Sequence, residues 1–186
     1  GGAVAALAGA LGCSMGHMAA VFTTSDKYSD VKEHIEQIIK SMADGLGEFA
    51  QAVEADAAAY AEYNAAVKMP KGTEAEKAKR QAAMQMTLGN AVQVPRKVCS
   101  LALDGLKAMR ILVEIGNPNL VSDVSVAAIM LKAAFDAGRV NVLVNIAMLK
   151  DNPAVQELRG AVDAEATQVD ELSSIIRVRS MERIFG

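Results

Sequence analysis

Between Asp30 and Val67 the chain has no proline, and Ile35, Ile38, Ile39, Met42, Leu46, Phe49, Val53, Tyr60 and Val67 recur at helical spacing. The pattern predicts one helix of nearly 40 residues, about 55–60 Å long at the usual rise. An element of that length buries its apolar stripe against other long elements, so the rest of the chain must supply them. Composition agrees. The 186 residues suit one domain with a sizeable core, and they are rich in Ala, Met and Leu, with 4 Pro and no Trp. Aromatic and β-branched residues are too sparse for an all-β protein. The fold class is therefore all-α.

Boundaries follow from turn chemistry. Ala3–Phe22, "AVAALAGALGCSMGHMAAVF", carries no formal charge and places Gly12 and Gly16 at GxxxG spacing. It is long enough to cross a bilayer, and a signal segment passes the same test. No basic stretch precedes it and Ala and Gly outnumber Leu, so a central bundle helix, buried on all sides and ending near Thr23, is the better reading. Ser29 or Asp30 can cap the long second helix. "KMPKGT" breaks that helix at Pro70 and Gly72, and Thr73 with Glu76 forms a capping box for a third. The third reaches about Glu114 with a kink at Pro95, and Gly116 caps its end. Ser122 or Asn119 opens the next helix, which lasts to about Gly138. Asn141 and Asn145, four apart, share one face of a further helical stretch. Asp151-Asn152-Pro153 starts the last helix, which runs almost to Phe185. The sum is a bundle of about five long helices in a single domain, 1–186.

Several function classes are excluded early. A net charge of -3 offers no basic footprint, so nucleic acid is not an expected partner. The charged helices after residue 26 speak against a membrane partner. Cys13 and Cys99 lie in apolar helical stretches without CxxC spacing and read as buried thiols of a reducing, cytoplasmic compartment. His17 and His34 are the only histidines, so no metal site is expected.

The informative residues are polar ones on apolar stripes. Asp56 shares the stripe of Val53 and Tyr60, and a carboxylate there needs a partner, a ligand or an exposed edge. Asp123 faces the core side of its helix at the N-terminus, where the macrodipole favours an anion. Capping alone explains Ser122 and Asp123 but leaves Asn117 and Asn119 less well accounted for. Asn141 and Asn145 sit among Val140, Val142, Leu143 and Val144, either as a polar network between helices or as a ligand edge. Lys27 and Tyr28 follow the first helix, as a surface loop or as a source of charge and protons. Lys68, Lys71, Lys77, Lys79 and Arg80 surround the "MPKGT" turn, as a solvated face or as an attractor for an anionic tail.

In order along the chain, five blocks carry a resemblance: "GGAVAALAGALG", "EADAAAYAEYNAAVKMPKGTEAEKAKR", "VQVPRKV", "GNPNLVSDVSVAA" and "NVLVNI". Together they resemble the cyclodeaminase/cyclohydrolase family. That family comprises the C-terminal domain of formimidoyltransferase-cyclodeaminase and free-standing bacterial methenyltetrahydrofolate cyclohydrolases. Two departures stand out. The family has a helix before its glycine-rich opening, of which only Gly1 and Gly2 are represented here. Its lysine-rich stretch after the first helix is reduced to "TSDKY", where Lys27 and Tyr28 carry over.

The resemblance implies an all-helical homodimer acting on a tetrahydrofolate derivative, with no cofactor beyond that substrate. It implies either closure of 5-formimidoyl-tetrahydrofolate to 5,10-methenyl-tetrahydrofolate with loss of ammonia, or hydration of the methenyl bridge to 10-formyl-tetrahydrofolate. On that reading Asp123 is the carboxylate nearest the one-carbon unit, and Asp56 and Lys27 move protons or recognise the pterin. Asn117, Asn119, Asn141 and Asn145 bind pterin edges, with Ser122 beside them. Tyr28 and Tyr60 stack on or hydrogen-bond the aromatic parts, Gly1 and Gly2 permit close approach, and Lys68 and Lys71 meet a glutamate tail. The rival of another class is a non-enzymatic helical oligomerisation module.

Overall fold

A computed structural model describes residues 1–23, 25–150 and 153–186. Among them are five long helices and no strand: α1 (Gly2–Val21), α2 (Lys32–Val67), α3 (Glu74–Ile115), α4 (Val121–Ala147) and α5 (Pro153–Phe185). Short 3-10 segments, Asp26–Val31 and Pro118–Leu120, precede α2 and α4. The all-α expectation holds. The cap expected at Asp151 and Asn152 lies outside the described residues, and Pro153 does open α5.

α1 packs against α2, α3 and α4, and α5 lies across α3 and α4. The core is built on Phe49, Phe135, Met42, Met109, Leu106, Leu112, Leu131 and Ile176, all fully buried. Each such side chain contributes about 1.5–3 kcal/mol by leaving water. α1 enters this core through its small residues. A Cβ on Gly9 would stand 2.3 Å from the Phe49 ring, and one on Gly12 would stand 2.8 Å from Leu131 Cγ. The expectation that α1 is buried on all sides fails on one face. Val4, Leu7 and Leu11 are 71%, 54% and 53% exposed, because three helices cannot surround a fourth and the small residues take the inward positions. α1 has the length and composition of a membrane span, but its small-residue face is buried within the bundle.

The helix ends match in part. Thr73 accepts from the Glu76 N–H at 3.2 Å and Glu76 accepts from the Thr73 N–H at 2.9 Å, which is the expected capping box. Neither Ser29 nor Asp30 caps α2, because the 3-10 turn consumes them and Val31 takes the cap position. Gly116 does end α3, but in extended backbone (φ -75, ψ 172) and not the left-handed form. Glycine is required there for space, since a Cβ would stand 2.6 Å from the Leu112 carbonyl oxygen. Leu120, not Ser122 or Asn119, precedes α4. Gly138 does not end a helix: α4 runs through it unbroken, and a Cβ there would stand 3.0 Å from Cys99 Sγ of α3. Pro95 lies buried inside α3 opposite this point.

At the far end of the bundle, α5 grips the end of α3. Arg183 donates to the carbonyls of Val113, Glu114 and Gly116, carbonyls that the end of a helix leaves without partners. Arg179 pairs with Glu114 at 2.8 Å. Asn117 ties the same loop to α1: its N–H donates to Thr23 Oγ1 at 3.1 Å and its Nδ2 to the Phe22 carbonyl at 3.1 Å.

Candidate active site

The N-terminus of α1 meets α2 at Asp56. The Ala3 N–H donates to Asp56 Oδ2 at 2.9 Å, so a carboxylate from another helix caps α1, whose own Gly1 has no side chain for the task. Gly2 allows this approach, since a Cβ there would lie 2.2 Å from Asp56 Oδ1. Gly1 does the same on the other side, where a Cβ would lie 2.8 Å from Asn141 Oδ1. The close approach expected of Gly1 and Gly2 is thus made by the protein's own side chains.

A cavity of about 440 Å³ opens at this junction, within the usual range for a small-molecule site. Gly1, Asp56, Tyr60, Asn141 and Asn145 line it, together with Tyr63, Leu88, Ala91 and Met148. Each asparagine commits one N–H of its side-chain amide to backbone. Asn141 Nδ2 donates to the Ala137 carbonyl at 2.7 Å, and Asn145 Nδ2 donates to the Ala91 carbonyl at 3.3 Å. The Asp56 carboxylate and the two carboxamides bring acceptor oxygens to the lining, beside the Tyr60 and Tyr63 side chains. Gln85 holds the wall beyond: it donates to the Met148 carbonyl at 3.1 Å and accepts from the Lys150 N–H at 2.9 Å.

Sequence reasoning missed Tyr63, Met148 and Gln85. Tyr63 was within reach, because positions 56, 60 and 63 fall on one helical face. The other two depend on how α3 and α4 pair.

The remaining expected residues lie elsewhere. Asp123 and Asn141 are 18 residues apart on the continuous α4, about 27 Å. Asp123 is half-buried in the first turn of α4, beside exposed Asn119 and Ser122. At this end Asn117 is occupied with backbone at both ends of its amide, its Oδ1 accepting from the Asn119 N–H at 3.1 Å. Lys27 is exposed, with Nζ 4.8 Å from the centre of the Tyr28 ring. The Tyr28 hydroxyl is buried without a hydrogen-bond partner. Lys68 and Lys71 sit at the α2–α3 turn, beyond an α2 end that runs about 17 Å past Asp56. One protomer therefore gathers Gly1, Gly2, Asp56, Tyr60, Asn141 and Asn145, and keeps Lys27, Tyr28, Asn117, Asn119, Ser122 and Asp123 at the opposite end of the bundle.

Other chemistry is limited. Burial pushes the Cys13 and Cys99 thiols up to about 12, which leaves neither as a thiolate nucleophile. Among the described residues no three His, Cys, Asp or Glu side chains are grouped to hold a metal ion. A second cavity of about 310 Å³ lies between α4 and α5, but its Lys132 already pairs with Asp136 and Asp170.

The formiminotransferase-cyclodeaminase family model matches residues 1–164. The chain belongs to this family. It is similar to the formimidoyltransferase-cyclodeaminase of Gallus gallus, 32% identical over 155 residues, covering 81% of this chain and 28% of that protein. It is similar to the methenyltetrahydrofolate cyclohydrolase of Methylorubrum extorquens, 33% identical over 181 residues, covering 92% of this chain and 84% of that protein. The chain thus spans under a third of the former and most of the latter. Among solved structures, the formiminotetrahydrofolate cyclodeaminase of Thermotoga maritima superposes with a TM-score of 0.88 at 25% identity, over 99% of this chain and 88% of that one. Family and fold agree with the resemblance borne by the five sequence blocks.

Proposed function

We propose that this chain cyclises 5-formimidoyl-tetrahydrofolate to 5,10-methenyl-tetrahydrofolate and releases ammonia. The supporting observation is the cavity that gathers the Asp56 carboxylate with the Asn141 and Asn145 carboxamides and two tyrosines. The formimidoyl group is an amidinium when protonated, and a nearby carboxylate stabilises that cation and the charge that persists in the product. N10 attacks the amidinium carbon, and a tetrahedral carbon bearing N5, N10 and the exocyclic nitrogen forms. The N10 proton passes to the exocyclic nitrogen, the bond to that nitrogen breaks, and ammonia leaves with the methenyl cation behind. Asp56 is the group we assign to carry that proton. Tyr60 and Tyr63 offer ring faces to the pterin and benzoyl parts. The reaction changes no oxidation state, and the proposal includes no cofactor beyond the folate.

The cyclohydrolase reaction is the second reading, favoured by the 84% of the Methylorubrum extorquens enzyme that the chain covers. Water would then attack the same cationic carbon. Supplying each folate separately, and following methenyl absorbance with ammonia release, separates the two: formation of methenyl with ammonia supports the first, and its consumption without ammonia supports the second.

The proposal includes a homodimer. Val4, Leu7 and Leu11 of α1 and Val126, Ile129, Val140 and Val144 of the adjoining α4 are exposed apolar side chains. A two-fold axis crossing the middle of α1 would pair two copies of it antiparallel and cover that stripe. It would also bring the Gly1 end of one copy to the Asp123 end of the other. The two groups of site residues, about 27 Å apart in one chain, then meet across the interface. Lys27 or Asp123 of the second copy would supply the second titratable group. Cytoplasmic localisation is the setting this reading assumes.

A further inference from the structure

α3 contains a proline where a long helix least tolerates one, at position 95, buried and midway along 42 residues. Proline has no N–H, so the carbonyl four residues back, that of Ala91, cannot receive its usual helical bond. Ala91 is half-buried, and a carbonyl deprived of its helical partner is normally satisfied elsewhere. Here the donor is Asn145 Nδ2, 3.3 Å from the Ala91 oxygen and 54 residues away on α4. Ala91 and Asn145 both line the cavity described above.

We propose that Pro95 is a positioning residue for this site: by withholding an N–H from α3 it frees the Ala91 carbonyl to orient the Asn145 carboxamide. With Nδ2 committed to α3, position 145 presents Oδ1 to the cavity. Asn141 is fixed in the same sense by the Ala137 carbonyl. With Asp56, position 145 then completes a set of three acceptors. Such acceptors suit ligands that bring N–H donors, an amino-pyrimidinone ring or an amidinium. This rests on the reading of the cavity as the folate site.

Pro95→Ala returns an N–H to position 95 that competes for the Ala91 carbonyl and so weakens the Asn145 anchor. An ordinary structural proline would behave differently from a positioning one. Alanine is the stronger helix former, so the thermal midpoint should hold or rise, while KM for the folate substrate rises about 3- to 10-fold, the worth of one hydrogen bond, with kcat within about twofold of the parent. On an Asn145→Ala background the same substitution should add no further change in KM. If Asn145→Ala raises KM and Pro95→Ala does not, the positioning role is overturned and the cavity stands. A KM rise that comes with a fallen midpoint marks general loosening and also overturns it. If Asn145→Ala itself leaves KM unchanged, the cavity reading fails and takes this inference with it. A check without any variant is the Asn145 side-chain amide in a nitrogen-15 spectrum: slow exchange is expected, and free exchange contradicts the anchoring bond.

Discussion

At the residue scale, the site depends on what Gly1 and Gly2 lack. Alanine favours a helix over glycine by about 1 kcal/mol, so Gly2→Ala in an isolated α1 would be stabilising. In the folded protein the added Cβ meets Asp56 Oδ1 at 2.2 Å and must displace either the carboxylate or the helix end. Displacement of a reacting group by about 1 Å costs up to about 100-fold in rate. Gly2→Ala is therefore expected to lower kcat/KM by at least about tenfold, while circular dichroism reports an intact helical fold. The sequence made part of this legible. Asp56 stood out because it shares a stripe with Val53 and Tyr60, and paired asparagines among valines stood out for the same reason. Which of their atoms face the cavity was not legible, because that follows from Pro95, Ala137 and the register of α3 on α4, all of them contacts between distant residues.

At the element scale, helix ends were legible where the signal was local and lost where it was tertiary. The Thr73–Glu76 box is complete within four residues and formed as expected. The reading of Gly138 as a helix end failed because a glycine in α4 serves equally to admit Cys99 from α3. The α3–α5 clamp, built from Arg179 and Arg183, has no local signature at all. Its pH response follows from Glu114, whose carboxyl the hydrogen-bonded Arg179 guanidinium holds below the ordinary range against a smaller opposing effect of burial. A lowered folded pKa contributes stability that is fully present above the unfolded value and is lost as pH falls through the folded one. The stability difference between the parent and Arg179→Met, read from urea midpoints, should be present at about pH 7 and shrink as pH falls below the ordinary carboxylate range and through the lowered Glu114 value. An undiminished difference at low pH would show that Arg179 acts through packing of its stem and not through Glu114.

At the scale of the whole molecule, the candidate site residues are split between two ends of one bundle, and the proposed dimer rests on that split. Five long helices were legible from spacing, and the ordered blocks from their resemblance to a known family. The split was not, because a linear sequence does not reveal which ends of antiparallel helices coincide. If two copies complete each other's sites, inactive Asp56→Asn and Asp123→Asn variants should regain about a quarter of the parental activity when mixed at equal amounts, since half the dimers carry one intact site. Sites confined to single protomers would regain none, and sedimentation of the unmixed protein as a monomer would agree with that outcome. The most direct measurement bears on Asp56 itself: turnover of 5-formimidoyl-tetrahydrofolate by Asp56→Asn, followed by methenyl absorbance and ammonia, with helical content and thermal midpoint recorded alongside. The account predicts a fall in kcat of at least about 100-fold in a protein that remains folded; turnover within about twofold of the parent would contradict the assignment of the reaction to this cavity.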